Sequence, residues 1–423
     1  METPDVLILG AGAAGLAAAR ALSRFGKRVL VLEARQRAGG RILTEMQAGW
    51  AAPVELGAEF IHGKPPELFR EIEAGRLAAF ERGGENFCRR GGRLERCEGP
   101  GAGSLQEAMA AAPEQSLAEF LRHSGAREET RRQIARFAEG FHAADTERFS
   151  LRALAETQKA EDETEGDRMF QFSGGYGALL ERMIGGLDQE RVRIQFDAVV
   201  QQVRWRRGEV RVHAAVFGRP LEFAAAQAIV TLPLGVLQSG AVRFDPEPAQ
   251  LGDALQKIAM GHACRVALRF RRPFWAENRD LAELGFLFST YERWMPTWWT
   301  VHPARAPMLV GWTGGPAAEA WQGQGVADWL APAVGSLARI LGVTEERVFS
   351  ALESWHAHDW SADRFARGAY SYVTVGGLEA QKRFGDPLEG TLVFAGEAAN
   401  GEGHSGTVHG AIASGERAAG LLL

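Results

Sequence analysis

Three glycines near the N-terminus and one acid downstream have the spacing of a phosphate-binding turn. Gly10, Gly12 and Gly15 follow an apolar stretch, and Glu33 lies 18 residues beyond Gly15. Gly10 permits a tight turn, Gly12 lets a pyrophosphate approach the backbone, and Gly15 lets the next helix pack closely. That helix directs its N-terminal N–H groups at phosphate. The carboxylate of Glu33 suits ribose hydroxyls and disfavours a 2′-phosphate, so a dinucleotide other than NADP is predicted.

A second glycine turn distinguishes between the remaining dinucleotides. Gly39-Gly40-Arg41 follows the acid and adds another bare backbone surface with a fixed positive charge. Near the C-terminus, a predicted strand at 391–395 is followed by Gly396-Glu397 and a helix from 407 to 421. The first motif alone fits NAD as well as FAD, and the two later segments favour FAD.

Positioning these residues requires a sheet built from distant parts of the chain. Predicted strands at 5–9 and 28–32 flank an Ala-rich helix, and the strand at 391–395 completes a similar unit. Residues 64–167 are predicted to be mostly helical, with a polar break at 99–103 and an acidic, solvated loop at 161–167. Residues 246–355 are predicted to mix strands and helices. Further strand patterns lie at 192–196, 198–205, 210–217 and 228–232, with Arg207-Gly208 as a hairpin turn.

This organisation predicts an α/β protein with two interleaved units. We assign 1–65, 168–245 and 356–423 to a discontinuous dinucleotide-binding domain, and 66–167 and 246–355 to an inserted α+β substrate-binding domain. The aromatic residues between Phe286 and Trp312 allow two interpretations, packing on a sheet or an aromatic wall of a ligand cavity.

The composition of the chain limits the classes of partner and ligand that the protein is expected to bind. The net charge of -5 and pI near 6.1 give no electrostatic case for nucleic acid. The sequence has no run of about 18 apolar residues, so no membrane span is predicted. The acidic start of the chain argues against an export signal. Three scattered cysteines predict neither a disulfide framework nor a metal site, which favours a reducing cytoplasm. His356 and His358 alone are a weak metal pair, so no metal is predicted.

Several motifs together resemble the flavin-containing amine oxidase family, which includes monoamine oxidases, polyamine oxidases and histone lysine demethylases. The resemblance covers nearly the whole chain and implies a glutathione-reductase-like FAD-binding Rossmann fold. It rests on Gly10–Gly15 with Glu33, Gly39-Gly40-Arg41-Ile-Leu-Thr44, Glu55-Leu-Gly57-Ala58, Gly174-Gly175-Tyr-Gly177, Thr231-Leu-Pro233-Leu-Gly235, Arg272-Pro-Phe-Trp275, Trp360 with Arg367-Gly368-Ala-Tyr370, Phe394-Ala-Gly396-Glu397 and Gly406-Thr407-Val-His409-Gly410.

The resemblance implies a set of FAD-binding residues. Val200 would lie against the adenine, Glu397 near the ribityl or phosphate groups, and Thr407-Val408 near the pyrimidine edge of the isoalloxazine. The full set is Gly10, Gly12, Ala14, Gly15, Glu33, Ala34, Arg35, Gly39, Gly40, Arg41, Gly57, Ala58, Glu59, Val200, Gly396, Glu397, Gly406, Thr407 and Val408.

It also implies the chemistry. A neutral amine would give a hydride equivalent to flavin N5, the imine would hydrolyse to an aldehyde or ketone, and O2 would reoxidise the flavin with formation of H2O2. We expect a small-molecule amine of the polyamine or arylalkyl type. The implied catalytic residues are Arg265, His62, Trp360 and Tyr370, and the implied substrate contacts are Glu59, His62, Trp298 and Tyr370.

Three departures from the family pattern refine these expectations. Arg265 stands where the family commonly has a Lys that holds a water near flavin N5, which places fast reaction with oxygen in question. No Cys lies near Tyr370, which predicts non-covalent FAD. Thr407 replaces an aromatic residue of the monoamine oxidases, and Phe60-Ile-His62-Gly63 resembles a polyamine oxidase stretch in which the His faces the substrate.

Alternative functions stay open from sequence. Arg265 could clamp a substrate carboxylate, as an L-amino-acid oxidase requires. The opening motifs also occur in FAD desaturases of polyenes or porphyrinogens, and the changed Lys position allows a non-catalytic FAD-bound scaffold. For a polyamine, Glu139, Asp145 and Glu147 are candidate amine partners, although solvated helix surface is the favoured interpretation of each and Glu59 is the better candidate for an acid in the site. The oligomeric state, monomer or homodimer, is open.

Overall fold

The structure is a computed structural model that describes residues 3–50, 52–98 and 106–423. The predicted polar break at 99–103 lies outside the described residues. The strands are β1 (Val6–Leu9), β2 (Val29–Leu32), β3 (Thr44–Glu45), β4 (Val54–Glu55), β5 (Ile61–His62), β6 (Ala79–Glu81), β7 (Glu85–Arg90), β8 (Arg93–Arg96), β9 (Met169–Phe172), β10 (Val192–Gln195), β11 (Ala198–Arg206), β12 (Glu209–Val216), β13 (Arg219–Ala225), β14 (Gln227–Val230), β15 (Arg243–Asp245), β16 (Ile258–Met260), β17 (Ala263–Phe270), β18 (Leu284–Ser289), β19 (Thr297–Trp299), β20 (Met308–Gly314), β21 (Leu352–Ala357), β22 (Ser371–Val373) and β23 (Leu392–Phe394).

Helices occur in both segments of the predicted substrate-binding part, 66–167 and 246–355, and near both ends of the chain. The α-helices are α1 (Ala13–Arg24), α2 (Pro66–Glu73), α3 (Gln106–Ala111), α4 (Leu117–His123), α5 (Glu128–His142), α6 (Leu151–Glu163), α7 (Tyr176–Gly185), α8 (Leu234–Gln238), α9 (Ala249–Lys257), α10 (Pro316–Glu319), α11 (Leu330–Leu341), α12 (Glu345–Ala351), α13 (Leu378–Phe384) and α14 (Val408–Leu421). Short 3-10 helices lie at Phe274–Glu277, Arg279–Leu281, Val326–Trp329 and Glu397–Ala399.

A five-stranded parallel sheet carries the predicted dinucleotide site. Its strand order is β10-β2-β1-β14-β23, so segments from the beginning, middle and end of the chain pair side by side. Every residue of β1 is fully buried, which explains why that strand is an unbroken apolar run. The helices α1 and α14 pack against each other beside it. The predicted discontinuous Rossmann-type fold is confirmed.

A second, antiparallel sheet extends the dinucleotide-binding part. Its order is β13-β12-β11-β15, and β11 and β12 are joined by the predicted turn at Arg207-Gly208. The third strand, Arg219–Ala225, was absent from the sequence interpretation. It begins with Arg-Pro and is mostly exposed, so it lacks the alternation of apolar and polar residues that identifies a strand.

The substrate-side part is built on a seven-stranded sheet of order β21-β17-β20-β19-β18-β7-β8. Its last two strands form the hairpin Glu85–Arg96, which comes from the segment predicted to be mostly helical. That prediction is wrong for this hairpin and for Ala79–Glu81. The hairpin carries a disulfide between Cys88 and Cys97, so the prediction that the cysteines form no disulfide framework is wrong for this pair. Cys264 is free and buried.

The predicted domain boundaries stay a prediction, and one helix departs from them. Leu251 and Ala254 of α9 are buried with residues of the parallel sheet, although sequence assigned this helix to the substrate-binding part. Among the described residues, no single helix is long and apolar enough to cross a membrane, and Val326–Leu341 with Glu345–Ala351 pass that test only together, bent by 114°.

Candidate active site

One cavity of about 1150 Å³ runs from the glycine turns to the helical insertion. It is lined by all but one of the residues predicted to bind FAD, and by Arg265, His62, Trp360 and Tyr370. The exception is Gly15, which lies behind the turn. A Cβ at Gly15 would come within 2.0 Å of the carbonyl oxygen of Gly10, so this glycine is required for packing of α1, and it does not line the cavity.

The edge of the dinucleotide end is bare backbone. A Cβ on Gly12 would meet nothing within 4 Å and would therefore project into open space. Gly40 and Gly396 have φ angles of +57° and +128°, which favour glycine. A side chain at these positions would fill the cradle that a pyrophosphate needs, so the arrangement fits the group that the motif predicts.

Glu33 lies beside this cradle and is 4% exposed. One of its oxygens accepts the Ala11 N–H at 2.8 Å and the other accepts the Arg35 N–H at 2.8 Å. Each carboxylate oxygen keeps a second lone pair. Glu33 therefore holds the glycine turn in shape and can still accept hydrogen bonds from a ribose, as predicted.

Glu397 joins three segments at the middle of the cavity. One of its oxygens accepts a hydrogen bond from Arg41 at 2.7 Å, and the other accepts from Ser371 Oγ at 2.6 Å and from the Gly406 N–H at 3.1 Å. Arg41 also donates to the carbonyl of Ala369 at 2.8 Å. The predicted cofactor residue Glu397 thus anchors the walls around the cofactor position.

The start of α14 completes this end. Thr407 is the N-cap, and its hydroxyl accepts the Gly410 N–H at 3.0 Å. The cavity is lined by Thr407 and Val408, so the positive end of the helix dipole faces the space where an anionic ring edge would lie. The residues present fit an FAD. Cys264 is the only described cysteine outside the disulfide and does not line the cavity, which agrees with a non-covalent flavin.

The opposite end of the cavity is aromatic. Phe60 lies 5.3 Å from Trp299 and 6.0 Å from Phe286 between ring centroids. Trp312 donates from Nε1 to the carbonyl of Gly140 at 2.8 Å, which fixes its ring. The aromatic residues at 286–312 were interpreted either as packing on a sheet or as a wall of a ligand cavity. Both interpretations hold, because successive residues of a strand face opposite sides of the sheet.

Trp298 is a correction that follows from this alternation. It is fully buried in the core beneath the sheet and does not line the cavity, whereas Thr297 and Trp299 do. Gly311 on the neighbouring strand makes room for its ring, since a Cβ there would lie 2.6 Å from Trp298. The prediction that Trp298 contacts the substrate is therefore wrong, and its neighbour Trp299 faces the cavity instead.

Trp360 and Tyr370 stand at the junction of the two ends. Trp360 donates from Nε1 to the carbonyl of Leu56 at 2.7 Å, and Tyr370 donates from its hydroxyl to the carbonyl of Phe141 at 2.8 Å. Both polar atoms are thereby occupied. Both residues line the cavity, and burial raises the pKa of Tyr370 beyond any physiological range.

Arg265 and Glu59 form a buried ion pair at the same junction. Their side chains are 6% and 4% exposed, and Arg265 Nη2 lies 2.5 Å from Glu59 Oε2. Arg265 Nη1 also donates to the carbonyl of Gly57 at 3.2 Å. The two predicted site residues are thus brought together, and each neutralises the other.

Three further residues support Glu59, and sequence reasoning missed two of them, Gln171 and Arg82. Gln171 donates to it at 2.6 Å, and Trp299 donates from Nε1 at 3.1 Å. Arg82 lies 3.9 Å from Glu59, and its guanidinium carbon lies 5.0 Å from the ring centroid of Phe60 and 4.9 Å from that of Phe286. Burial lowers the pKa of Arg82 to about 10. No local motif marks Arg82 or Gln171, because both reach the site only through strand pairing between β6 and β9.

Histidines line the remaining wall. Burial lowers the pKa of His62 to about 4 and that of His142 to about 4, so both rings are neutral at pH 7. His62 packs edge-on against Phe141, with ring centroids 4.9 Å apart. No hydrogen bond to another described residue occupies its ring nitrogens, which leaves them available to a ligand in the cavity.

The acids proposed for a polyamine do not reach the cavity. Glu139 pairs with Arg136 at 3.0 Å, Glu147 pairs with Arg122 at 2.8 Å, and Asp145 likewise lies outside the lining. The outer part of the cavity is instead lined by acids of α6 and the loop after it, namely Glu156, Glu161, Asp162 and Asp167. Burial, with a smaller effect of Asp162, raises the pKa of Glu161 to about 7. The sequence had assigned this stretch to a solvated loop.

His356 and His358, the two residues considered as a metal pair, each contact a different carboxylate. His356 lies 3.3 Å from Glu45, and His358 lies 3.1 Å from Asp363. Within the described ranges, no group of three or more His, Cys, Asp or Glu side chains is arranged to hold a metal ion.

Comparisons with known proteins agree with this geometry. The model of the family described as flavin containing amine oxidoreductase matches residues 13–106 and 104–423. Lysine-specific histone demethylase 1 homolog 2 of Oryza sativa subsp. japonica is 31% identical over 454 residues, covering 99% of this chain and 57% of that protein. Polyamine oxidase 4 of the same organism is 26% identical, covering 98% of this chain and 88% of that protein. The chain thus spans little more than half the length of the demethylase relative.

Solved structures share the fold. A putrescine oxidase bound to putrescine superimposes with a TM-score of 0.83 at 24% identity, over 99% of this chain and 98% of that chain. Cyclohexylamine oxidase from Brevibacterium oxydans IH-35A gives a TM-score of 0.82 at 21% identity, over 100% of this chain and 99% of that chain. With a matching family model along almost its whole length, the chain belongs to the flavin-containing amine oxidoreductase family.

Proposed function

We propose that the protein oxidises the C–N bond of a small amine with non-covalent FAD. The observation that carries this proposal is the continuity of one cavity, whose dinucleotide cradle opens directly into an enclosed aromatic end that holds a neutral histidine. When bound, FAD supplies the hydride-accepting chemistry, with O2 as the proposed terminal acceptor and H2O2 as a product. Hydrolysis of the imine gives the aldehyde or ketone.

The residues of the chain prepare the amine for this reaction. Trp360 and Tyr370 form flat walls that orient the α C–H, and both rings are fixed by hydrogen bonds from their polar atoms. His62 offers a ring nitrogen to the amine and can accept its proton. Phe60 and Trp299 exclude water from the enclosed end.

Two substrate types are consistent with the walls. The aromatic end suits an arylalkyl or cycloalkyl monoamine, and the acids at the outer end suit a second, cationic amine of a polyamine. Putrescine and cyclohexylamine, named for the two structural relatives, are therefore the first compounds to test. We propose that the protein lies in the cytoplasm. The cysteine pattern no longer supports this location, because Cys88 and Cys97 form a disulfide.

The alternative of an L-amino-acid oxidase depends on Arg265. A bidentate carboxylate clamp needs two free donors, whereas Nη1 and Nη2 of Arg265 are used by Gly57 and Glu59 and only Nε has no partner among the described residues. A substrate carboxylate would have to compete with the buried Glu59 carboxylate, which accepts hydrogen bonds from Arg265, Gln171 and Trp299. This geometry counts against amino acids and in favour of amines without a carboxylate.

An anaerobic screen tests the proposal. Purified yellow holoenzyme is mixed with polyamines, arylalkyl amines, cycloalkyl amines and amino acids, and the flavin absorbance is followed before and after admission of air. Bleaching by an amine, with colour restored by air and H2O2 formed, is the expected result. A flavin that no amine bleaches contradicts the amine assignment, and bleaching by amino acids alone supports the alternative.

A further inference from the structure

The ring of Trp360 is held by more than the hydrogen bond of its Nε1 atom. That bond, to the carbonyl of Leu56 at 2.7 Å, fixes one atom and leaves the ring able to pivot about it. The ring of His358 packs edge-on against Trp360, with centroids 4.2 Å apart and planes at 62°. The position of His358 therefore limits where the Trp360 ring can lie in the cavity wall.

His358 is in turn held by Asp363. His358 Nε2 lies 3.1 Å from Oδ2 of this carboxylate. The other oxygen, Oδ1, accepts from Arg35 Nη2 at 2.7 Å and from the Phe365 N–H at 2.9 Å. The side chains of Asp363 and Arg35 are only 12% and 13% exposed, so solvent screens this pair less than a surface pair. Contacts at both oxygens leave the carboxylate little freedom to rotate.

Arg35 connects these contacts to the dinucleotide end of the cavity. Its backbone N–H donates to Glu33 Oε1 at 2.8 Å, and both residues line the cavity. Glu33 is the acid predicted to meet the ribose. A continuous series of contacts therefore runs from Glu33 through Arg35, Asp363 and His358 to Trp360.

The loop that carries Asp363 has its own backbone support. The Asp363 N–H donates to the carbonyl of Asp359 at 3.0 Å, and the Asp363 carbonyl accepts from the N–H groups of Ala366 and Arg367 at 3.0 and 2.8 Å. These bonds remain when the carboxylate is replaced by an amide. The contact with His358 is therefore an effect of the side chain that the fold of the loop does not require.

We propose that Asp363 and His358 are positioning residues for the Trp360 wall, and that Arg35 anchors them to the cofactor end. Neither Asp363 nor His358 lines the cavity, so each acts through Trp360 and not on the substrate. The α C–H of the amine has to be held within a narrow range of distance and angle, and a misplacement of about 1 Å can cost about a hundredfold in rate. The role rests on the proposed amine oxidation.

Two variants break the series of contacts at different points. Asp363→Asn removes the charge that holds Arg35 and His358, and His358→Ala removes the ring that packs against Trp360. Trp360→Leu removes the wall itself. Each of the first two substitutions is made alone and again in the Trp360→Leu background.

Each variant has a matched control on the surface. Asp188 also pairs with an arginine, Arg191 at 3.4 Å, and also accepts the N–H two residues further along. His213 Nε2 lies 3.1 Å from a carboxylate oxygen of Glu222, the same distance as in the pair under test. Neither Asp188 nor His213 lines the cavity, so Asp188→Asn and His213→Ala are the controls.

The first measurement is the limiting rate of flavin reduction by an amine, followed anaerobically in stopped flow. Asp363→Asn and His358→Ala should lower this rate about tenfold, with FAD retained and the half-saturating amine concentration changed little. The controls should stay within about twofold of the parent. In the Trp360→Leu background, the same substitutions should change the rate by less than about twofold, because the wall that they position is gone. An equal fall with and without Trp360 overturns the proposal.

Fluorine NMR of protein labelled with 5-fluorotryptophan observes the wall without any reaction. The Trp360 signal is the one that Trp360→Leu removes. Asp363→Asn and His358→Ala should shift or broaden this signal, whereas Asp188→Asn and His213→Ala should leave it unchanged. An unchanged Trp360 signal in both test variants overturns the proposal, whatever their rates. If Asp363→Asn does not fold, His358→Ala decides alone.

The two measurements also separate this proposal from the proposed function. If an amine bleaches the flavin but the substitutions act independently of Trp360, only the positioning role fails. If no amine bleaches the parent protein, the proposed function fails, and the fluorine signal still decides whether Asp363 and His358 position Trp360.

Discussion

Removing the charge of Glu59 should lower the free energy of unfolding strongly, although the Glu59→Gln substitution barely changes the size of the side chain. Glu59→Gln keeps the shape of the side chain but leaves Arg265 and Arg82 without a carboxylate in a region where their side chains are 6% and 2% exposed. Removing one partner of a buried ion pair typically costs about 3–5 kcal/mol, because the remaining charge is left without compensation. The Arg265–Glu59 contact of 2.5 Å and the further donors Gln171 and Trp299 place this pair in that range.

Denaturant unfolding of the holoenzyme, followed by Trp fluorescence, measures this effect. Glu147→Gln is the control, because it breaks a pair of similar length, 2.8 Å, that is exposed on both sides and should cost at most about 1 kcal/mol. The double variant Glu59→Gln/Arg265→Met should be less destabilised than the sum of its single variants. If Glu59→Gln loses no more stability than Glu147→Gln, the assignment of the pair as a buried, mutually dependent unit is refuted.

Three further predictions concern the cavity walls. Arg265→Lys should raise the rate constant for reoxidation of the flavin by O2, measured by mixing reduced enzyme with oxygen, and a fall or no change would contradict a restraining role of the arginine. Trp299→Phe should change amine affinity in binding titrations, whereas Trp298→Phe should lower the melting temperature and leave affinity unchanged; the reverse pattern would refute the strand register. The folded state lowers the pKa of His142 to about 4 from 6.5, so the unfolded chain binds the proton first and His142 costs stability as pH falls from 6.5 towards 4. His142→Gln should therefore lose less stability than the parent between pH 7 and 5 in unfolding titrations, and parallel pH curves would argue against a neutral buried ring.

The dinucleotide end was predictable because its signals are local. Gly10, Gly12 and Glu33 lie within one βαβ unit, where each glycine has a steric reason that follows from the turn itself. Arg41 and Glu397 are far apart in sequence, but each follows its own glycine turn. The resemblance to the amine oxidase family predicted that both contribute to one FAD site. The structure joins them at 2.7 Å.

The substrate end was less predictable because it depends on register and on contacts between distant strands. Trp298 and Trp299 are identical in type and adjacent, and only the pleat of β19 decides which one faces the cavity. Arg82 reaches Glu59 through a strand in a segment predicted to be helical. The acid Glu161 was assigned to a solvated loop because composition alone cannot show that a helix end is enclosed by its neighbours.

The Glu397 junction also bears on how the protein is made. Its partners Arg41, Ser371 and Gly406 are supplied by opposite ends of the chain, and strand β23 joins the parallel sheet beside β14. On the ribosome, the nucleotide turn therefore emerges hundreds of residues before the segment that completes its binding site. Flavin loading therefore has to wait until the segment that contains Ser371 and Gly406 has been synthesised, and the early half-site is exposed to chaperones and proteases until then.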